Sequence, residues 1–395
     1  MFHKISRNIE ILFKRYKLIF FFIFSGLLAY VFISSLPFAM EYSQDMQWYP
    51  SKLMWEGTNP YVHYLENPND WFLNQEPNYA HLLYFVLYPL TLVSWESAKL
   101  LWAVLSMSAF IGTLIIFHIQ KTPSYLLFFL TTFLIFGYTF SNTIANGQIV
   151  TFIAFFVSCA WHFRKKHPFF SSIFLALALV KYSFGLPILL GFFLSGYYRV
   201  TILAVSVHLV AMLFFSYLFN LTLIEAIFLP IEVAMTATNI GPIDVFSLGK
   251  ILELKQIIEF NIAFIIVPVI FICFSLIIMM NRNLFLDSEI IALSIILSLV
   301  TFFHLGYDQL MLLVGLFILK IDQKLTNKFF LVLSVISIFL WHGPRISNFL
   351  ALESNWSMQM NIEFTFLVSF FLLSFVAFYI VNKLNFLKPV TQIED

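Results

Sequence analysis

The chain has 395 residues, of which 61% are hydrophobic and 11% charged, with a net charge of +1. Soluble domains carry about 25% charged side chains, so this composition predicts one polytopic membrane domain over residues 1–395 in place of two or three soluble ones. The net total itself says nothing about nucleic-acid or acidic partners; no nucleic-acid partner is expected. The two cysteines, Cys159 and Cys273, sit in apolar runs, which disfavours a disulfide framework or a thiolate metal site.

The first apolar run, residues 18–40, is too long for a signal-peptide core and lacks a small-residue cleavage pattern. It reads as a first transmembrane helix. Lys4, Arg7, Lys14, Arg15 and Lys17 precede it, so the N-terminus is expected to be cytoplasmic and residues 41–78 external. That segment holds Glu41, Asp45, Glu56, Glu66, Asp70 and Glu76 against the single base Lys52, and is expected to form short interfacial helices. Residues 79–95 contain Pro89 and polar aromatics, and the charge pattern requires that they make no net crossing or that a crossing there is compensated elsewhere. Helices follow at about 97–118, 124–140, 149–163, 199–219, 260–281, 287–303, 307–320, 329–342 and 362–381.

Residues 169–195 are expected to be two half-helices broken at "VKYSFGLP" (180–187). The basic connectors, "RKKH" at 164–167 and "KIDQKLTNK" at 320–328 among them, are assigned to the cytoplasm with the C-terminus. The alternate connectors, 141–148, 220–258, 304–306 and 343–361, then fall outside. The fold class expected is an all-α polytopic integral membrane protein with about ten to thirteen transmembrane or re-entrant helices.

This topology gathers ionisable and amide side chains on one face: Asp45, Asn146, Gln148, Lys181, Asp244, His304, Asp308 and Arg345. Asp45, just beyond the first helix, is either a solvated boundary acid or a base placed where membrane-borne substrates arrive. Lys181 lies in "ALALVKYSFGLP", where a lysine costs about 2.5 kcal/mol or more at the centre of a helix unless it is paired, hydrated or snorkels. His304 precedes Asp308 by four residues and is either a structural pair or part of a site. "NGQ" (146–148) is a turn whose amides could donate to a sugar. "TNPY" (58–61) is a turn signal in its own right. No phosphate loop, dinucleotide fingerprint or HExxH motif is present.

The order of these motifs resembles glycosyltransferase family 87, with its GT-C fold. The similarity rests on an acid after the first helix, "WYPSKLMWEGTNPYVHY" (48–64), "EPNYAHLLYFVLYPLTLVSWESAKLLW" (76–102), "ANGQIVTF" (145–152), the hairpin at 169–199 and "HLGYDQLMLL" (304–313). Two departures stand out. Tyr79 is followed by Ala80 where the family has Pro, and Lys181 by Tyr182 where the family has Pro.

The resemblance implies transfer of a hexose such as mannose from a polyprenyl-phosphate donor to a glycolipid or glycan acceptor. The site would be at the extracytoplasmic face of a cell membrane, with inversion of the anomeric carbon and Asp45 as catalytic base. Lys181, Arg345 and His304 would face the donor phosphate. Asn59, Tyr61, Tyr79, Asn146, Gln148 and Asp308 would face sugar or acceptor. No cofactor or metal is expected, and the lipid bilayer is itself a partner. A transporter or lipid-linked-sugar flippase is the competing expectation from another class, and a polymerase or ligase of lipid-linked glycans is a third.

Overall fold

The computed structural model describes residues 11–386, apart from 44, 69–71, 73–74, 121, 238–244, 247–259, 303, 322–326 and 351–353. Asp244 lies outside the described residues. The chain is almost wholly helical. α1 (Lys17–Glu41) is apolar around its whole circumference yet buries only Val31, Ser35 and Ala39, a stripe at four-residue spacing. Leu18 and Phe22 on its other faces are 71% and 70% exposed. Long apolar faces turned outward in this way fit a hydrocarbon surrounding and not water.

Short helices α2 (Trp48–Trp55) and α3 (Pro60–Glu66) follow, then α4 (His81–Val86) and α5 (Tyr88–Thr91). Eleven residues from 81 to 91 rise only about 16 Å as helix, too short to span a hydrocarbon core of roughly 30 Å by themselves. α6 (Trp95–Ile119) is a second full-length apolar helix. The span expected at 124–140 is broken: α7 (Ser124–Phe136) and α8 (Tyr138–Ala145) meet at Gly137 with a bend of 64°. A Cβ at Gly137 would lie 2.6 Å from the Trp341 carbonyl oxygen, so only glycine lets these backbones approach.

α9 (Val150–Phe163) and α10 (Pro168–Ala178) pack together, and α11 (Tyr182–Leu194) follows a break at residues 179–181. The break falls at the start of the expected "VKYSFGLP" window, while Gly185 and Pro187 lie inside α11. α12 (Tyr198–Leu218) is the third long apolar helix. α13 (Leu223–Ala237) occupies the start of the loop expected at 220–258. Beyond it, β1 (Val245–Phe246) pairs antiparallel with β2 (His304–Leu305), a two-residue ladder that the sequence did not predict.

α14 (Phe260–Met280) leads to α15 (Asp287–Thr301), in which every residue from Ser288 to Thr301 is buried. A helix apolar on all sides belongs inside a bundle, and α15 is that centre, packed by α11 and α16 (Met311–Ile321). Gly191 of α11 admits close approach, since a Cβ there would meet Ser294 Oγ at 2.8 Å. α17 (Asn327–Leu350) runs through the connector expected at 343–361, and α18 (Ser354–Phe386) closes the chain. Among the described residues three helices are long and apolar enough to cross a membrane, or four if the α7–α8 pair is one bent span. Shorter apolar stretches among the described residues include Val150–Phe163, Tyr182–Leu194, Val269–Met280, Phe330–Gly343 and Ser369–Leu384. The protein is an all-α, multi-pass membrane protein by this architecture.

Candidate functional site

The site begins where α1 ends. Lys99 of α6, itself buried, donates to the Met40 carbonyl and pairs with Glu96 at 2.9 Å. A cation there complements the negative end of the α1 dipole and fixes its last turn. The chain then turns through Ser43 (φ 40°) and Gln47 (φ 64°), left-handed conformations that cost a non-glycine residue about 1 kcal/mol or more. Two backbone bonds hold the turn: Ser43 N–H donates to Ala145 O and Asp45 N–H to Asn146 O, each at 3.1 Å. Gly147 (φ +64°) lies against Ser43, so that a Cβ there would contact Ser43 Cα at 3.3 Å. Trp102 Nε1 donates to Gly147 O at 2.7 Å. The "NGQ" turn is therefore the strut that positions Asp45.

Asp45 is half-buried and its two oxygens are both engaged. Tyr79 OH donates to Oδ2 at 2.6 Å, and Gln47 Nε2 donates to Oδ1 at 3.1 Å and to Glu76 O at 3.0 Å. Tyr84 OH lies 3.5 Å from Gln47 Oε1. Burial raises the Asp45 carboxyl above its usual range, against the lowering pull of the Lys181 charge and the Tyr79 hydroxyl; the Asp308 charge adds to the rise. Glu76 is pushed up to about 7 by burial and by Asp45, with the Tyr64 hydroxyl bonded to it opposing. Asp45 and Glu76 are thus neighbouring acids whose carboxyls are both raised by burial.

The second part of the site is buried deeper. Lys181, at the break before α11, donates to both Asp308 oxygens at 2.8 Å. His304 Nδ1 lies 2.9 Å from Asp308 Oδ2, and its ring packs on Phe184 at 4.2 Å. The Lys181 side chain is 15% exposed and that of Asp308 1%. Lys181 Nζ also sits 5.4 Å over the Tyr307 ring. One backbone bond joins the two parts: Ala80 N–H donates to Val180 O at 2.9 Å, placing Tyr79 beside Lys181 in space.

The remaining expected residues divide. Tyr79 touches Asp45 directly. Tyr61 is fully buried beneath it, its hydroxyl donating to Tyr79 O at 2.8 Å. Asn59 caps α3, its Oδ1 accepting from the N–H groups of Tyr61 (3.1 Å) and Val62 (3.3 Å); this is the turn role its sequence announces. The Asn146 amide is turned to Asn142, while its backbone oxygen serves Asp45. Gln148 is buried with Oε1 unpaired. Arg345 stands apart from both clusters and donates to the Phe136 carbonyl.

Gln47, Glu76 and Lys99 were missed. Lys99, a cation in "ESAKLLWAVL", carried the same signal as Lys181. Among the described residues no group of three or more His, Cys, Asp or Glu side chains could hold a metal ion.

The chain matches no protein-family model, no curated protein and no solved structure.

Proposed function

We propose that this protein is a membrane glycosyltransferase of GT-C type, moving a hexose such as mannose from a polyprenyl-phosphate donor to a glycolipid or glycan acceptor. In this reading the N- and C-termini are cytoplasmic and the site extracytoplasmic. The observation that carries it is Asp45: a carboxyl at the end of a membrane helix, aimed by Tyr79 and Gln47, with its proton affinity raised by burial. A raised carboxylate is a better general base, and such a base contributes about 10²–10⁴-fold when it reaches the reacting hydroxyl.

Asp45 takes the proton of the acceptor hydroxyl while that oxygen bonds to the anomeric carbon from the face opposite the phosphate. The carbon–oxygen bond to the phosphate breaks, its electron pair leaves on the lipid phosphate, and the configuration inverts. Two of the three Lys181 N–H groups are used by Asp308; the third is left for the departing oxygen. His304 and Asp308 act by holding Lys181 in place. Purified protein incubated with radiolabelled polyprenyl-phosphate sugars and a membrane-lipid extract should form a labelled product, and Asp45→Asn should abolish it without loss of folding. Near-normal transfer by that variant would remove Asp45 from the role of base.

A transporter or lipid-linked-sugar flippase is the second reading. It is favoured by the two helix breaks, at Gly137 and at 179–181, and by the buried Lys181–Asp308 pair. Sugar or lipid movement across vesicles containing the purified protein, with no product formed, would select it.

A further inference from the structure

A groove of about 320 Å³ opens between α1, the α7–α8 elbow and α17. Val31 and Ile135 form its apolar floor, Tyr30 and Phe136 its walls, and Arg345 its charge. Arg345 gives one N–H to the Phe136 carbonyl, a group freed by the helix end at Gly137. A guanidinium has five N–H donors, and among the described residues no carboxylate pairs with this one.

The depth of the groove follows from helix register. His342 Nε2 meets Phe133 O and Arg345 meets Phe136 O, so α17 and α7 advance side by side in one direction. From Asn327 to Arg345 the rise is about 27 Å, and from Lys17 to Ser34 about 26 Å. With Lys17 and Asn327 taken as one boundary of a hydrocarbon core of roughly 30 Å, the groove falls just inside the other, at the Asp45 end and within reach of lipid phosphates. Its flank faces lipid: Tyr30 is 66% exposed and Ile33 67%. An unpaired guanidinium at that depth is costly until an anion meets it, and its planar fork suits a phosphate.

Arg345 shares no hydrogen bond or ion pair with Asp45, Lys181 or Asp308 among the described residues. Ser34 lies seven residues, about 10 Å, before the end of α1, and Arg345 is not among the charges that act on Asp45 or Asp308.

We propose that this groove binds the phosphate of a membrane lipid through Arg345, at a place separate from the Asp45 centre, with the lipid chain lying on Val31 and Ile135. The site does not depend on the glycosyl-transfer reading. It moves Arg345 from the donor phosphate to a lipid of its own.

The test is the melting temperature of the full chain in neutral detergent, titrated with short-chain phosphatidylglycerol, short-chain phosphatidylcholine or inorganic phosphate. Phosphatidylglycerol at about a hundred times its Kd should raise it by roughly 3 °C. Inorganic phosphate should give no comparable gain, and the zwitterionic lipid a smaller one. Arg345→Gln should lose the gain. Ser34→Phe, a change on the lipid-facing side of α1 that fills the groove while leaving the Phe136 contact intact, should lose it as well. Asp45→Asn should keep it, which separates this proposal from the catalytic one. An equal gain in Ser34→Phe, or with inorganic phosphate alone, would overturn it.

Discussion

The two ends of the buried helix α15 treat charge in opposite ways. At its start, Asp287 pairs with Arg282 and accepts from Tyr197 OH at 2.5 Å, while Glu289 is met by Lys383 at 2.8 Å and Tyr379 OH at 2.6 Å. Each acid there has its own cation. About 20 Å away, beyond the other end, Lys181 is shared: it is bonded to Asp308, and its charge also reaches Asp45, which in turn presses on Glu76. A matched network holds helices together and leaves nothing for a ligand. A surplus of acids around one lysine, partly open and fixed by strained backbone, is an arrangement that stability alone does not call for.

The largest effects should come from the unmatched end. Asp45→Asn is expected to lower transfer by about 10²-fold or more with an unchanged melting temperature, measured by labelled product. Lys181→Met should leave Asp308 buried without its cation and cost about 3–5 kcal/mol, read as a fall in thermal stability. The double variant Lys181→Met, Asp308→Asn should recover folding but not transfer.

At the matched end, Glu289→Gln should cost less, about 1–3 kcal/mol, because Lys383 can turn to solvent. It should not change the rate per folded molecule. If Glu289→Gln instead abolished transfer at full stability, the contrast between the two ends would fail.

Smaller shifts sharpen the acid pair. Tyr79→Phe removes a hydrogen bond that lowers the Asp45 carboxyl, so the acid limb of the pH–activity profile should move to higher pH. Glu76 is raised in the fold from 4.5 to about 7, so the folded protein holds this proton more tightly than the unfolded chain. Its contribution to stability is full below about 4.5 and is lost as pH climbs through about 7. Glu76→Gln should flatten the pH dependence of melting across that window.

The sequence made Asp45, Lys181, His304 and Asp308 conspicuous, because charge beside apolar runs is visible without coordinates. It did not pair Lys181 with Asp308, which are 127 residues apart. It also did not distinguish Glu76 from the four other acids that share residues 41–78 with Asp45, since only burial against Asp45 sets it apart. "NGQ" was recognised as a turn, but its partner, the loop of Asp45, is about a hundred residues earlier. The break at Gly137 was hidden because apolar residues continue through it. Helix ends in such a run are set by packing against Trp341, not by composition.

The bond from Ala80 N–H to Val180 O has a mechanical meaning. It couples the residue next to Tyr79 to the residue next to Lys181, so a shift of the α10–α11 break tugs on the hydroxyl that aims Asp45. The aimed carboxylate and the buried cation are thus set on one backbone frame, built from segments a hundred residues apart in the chain.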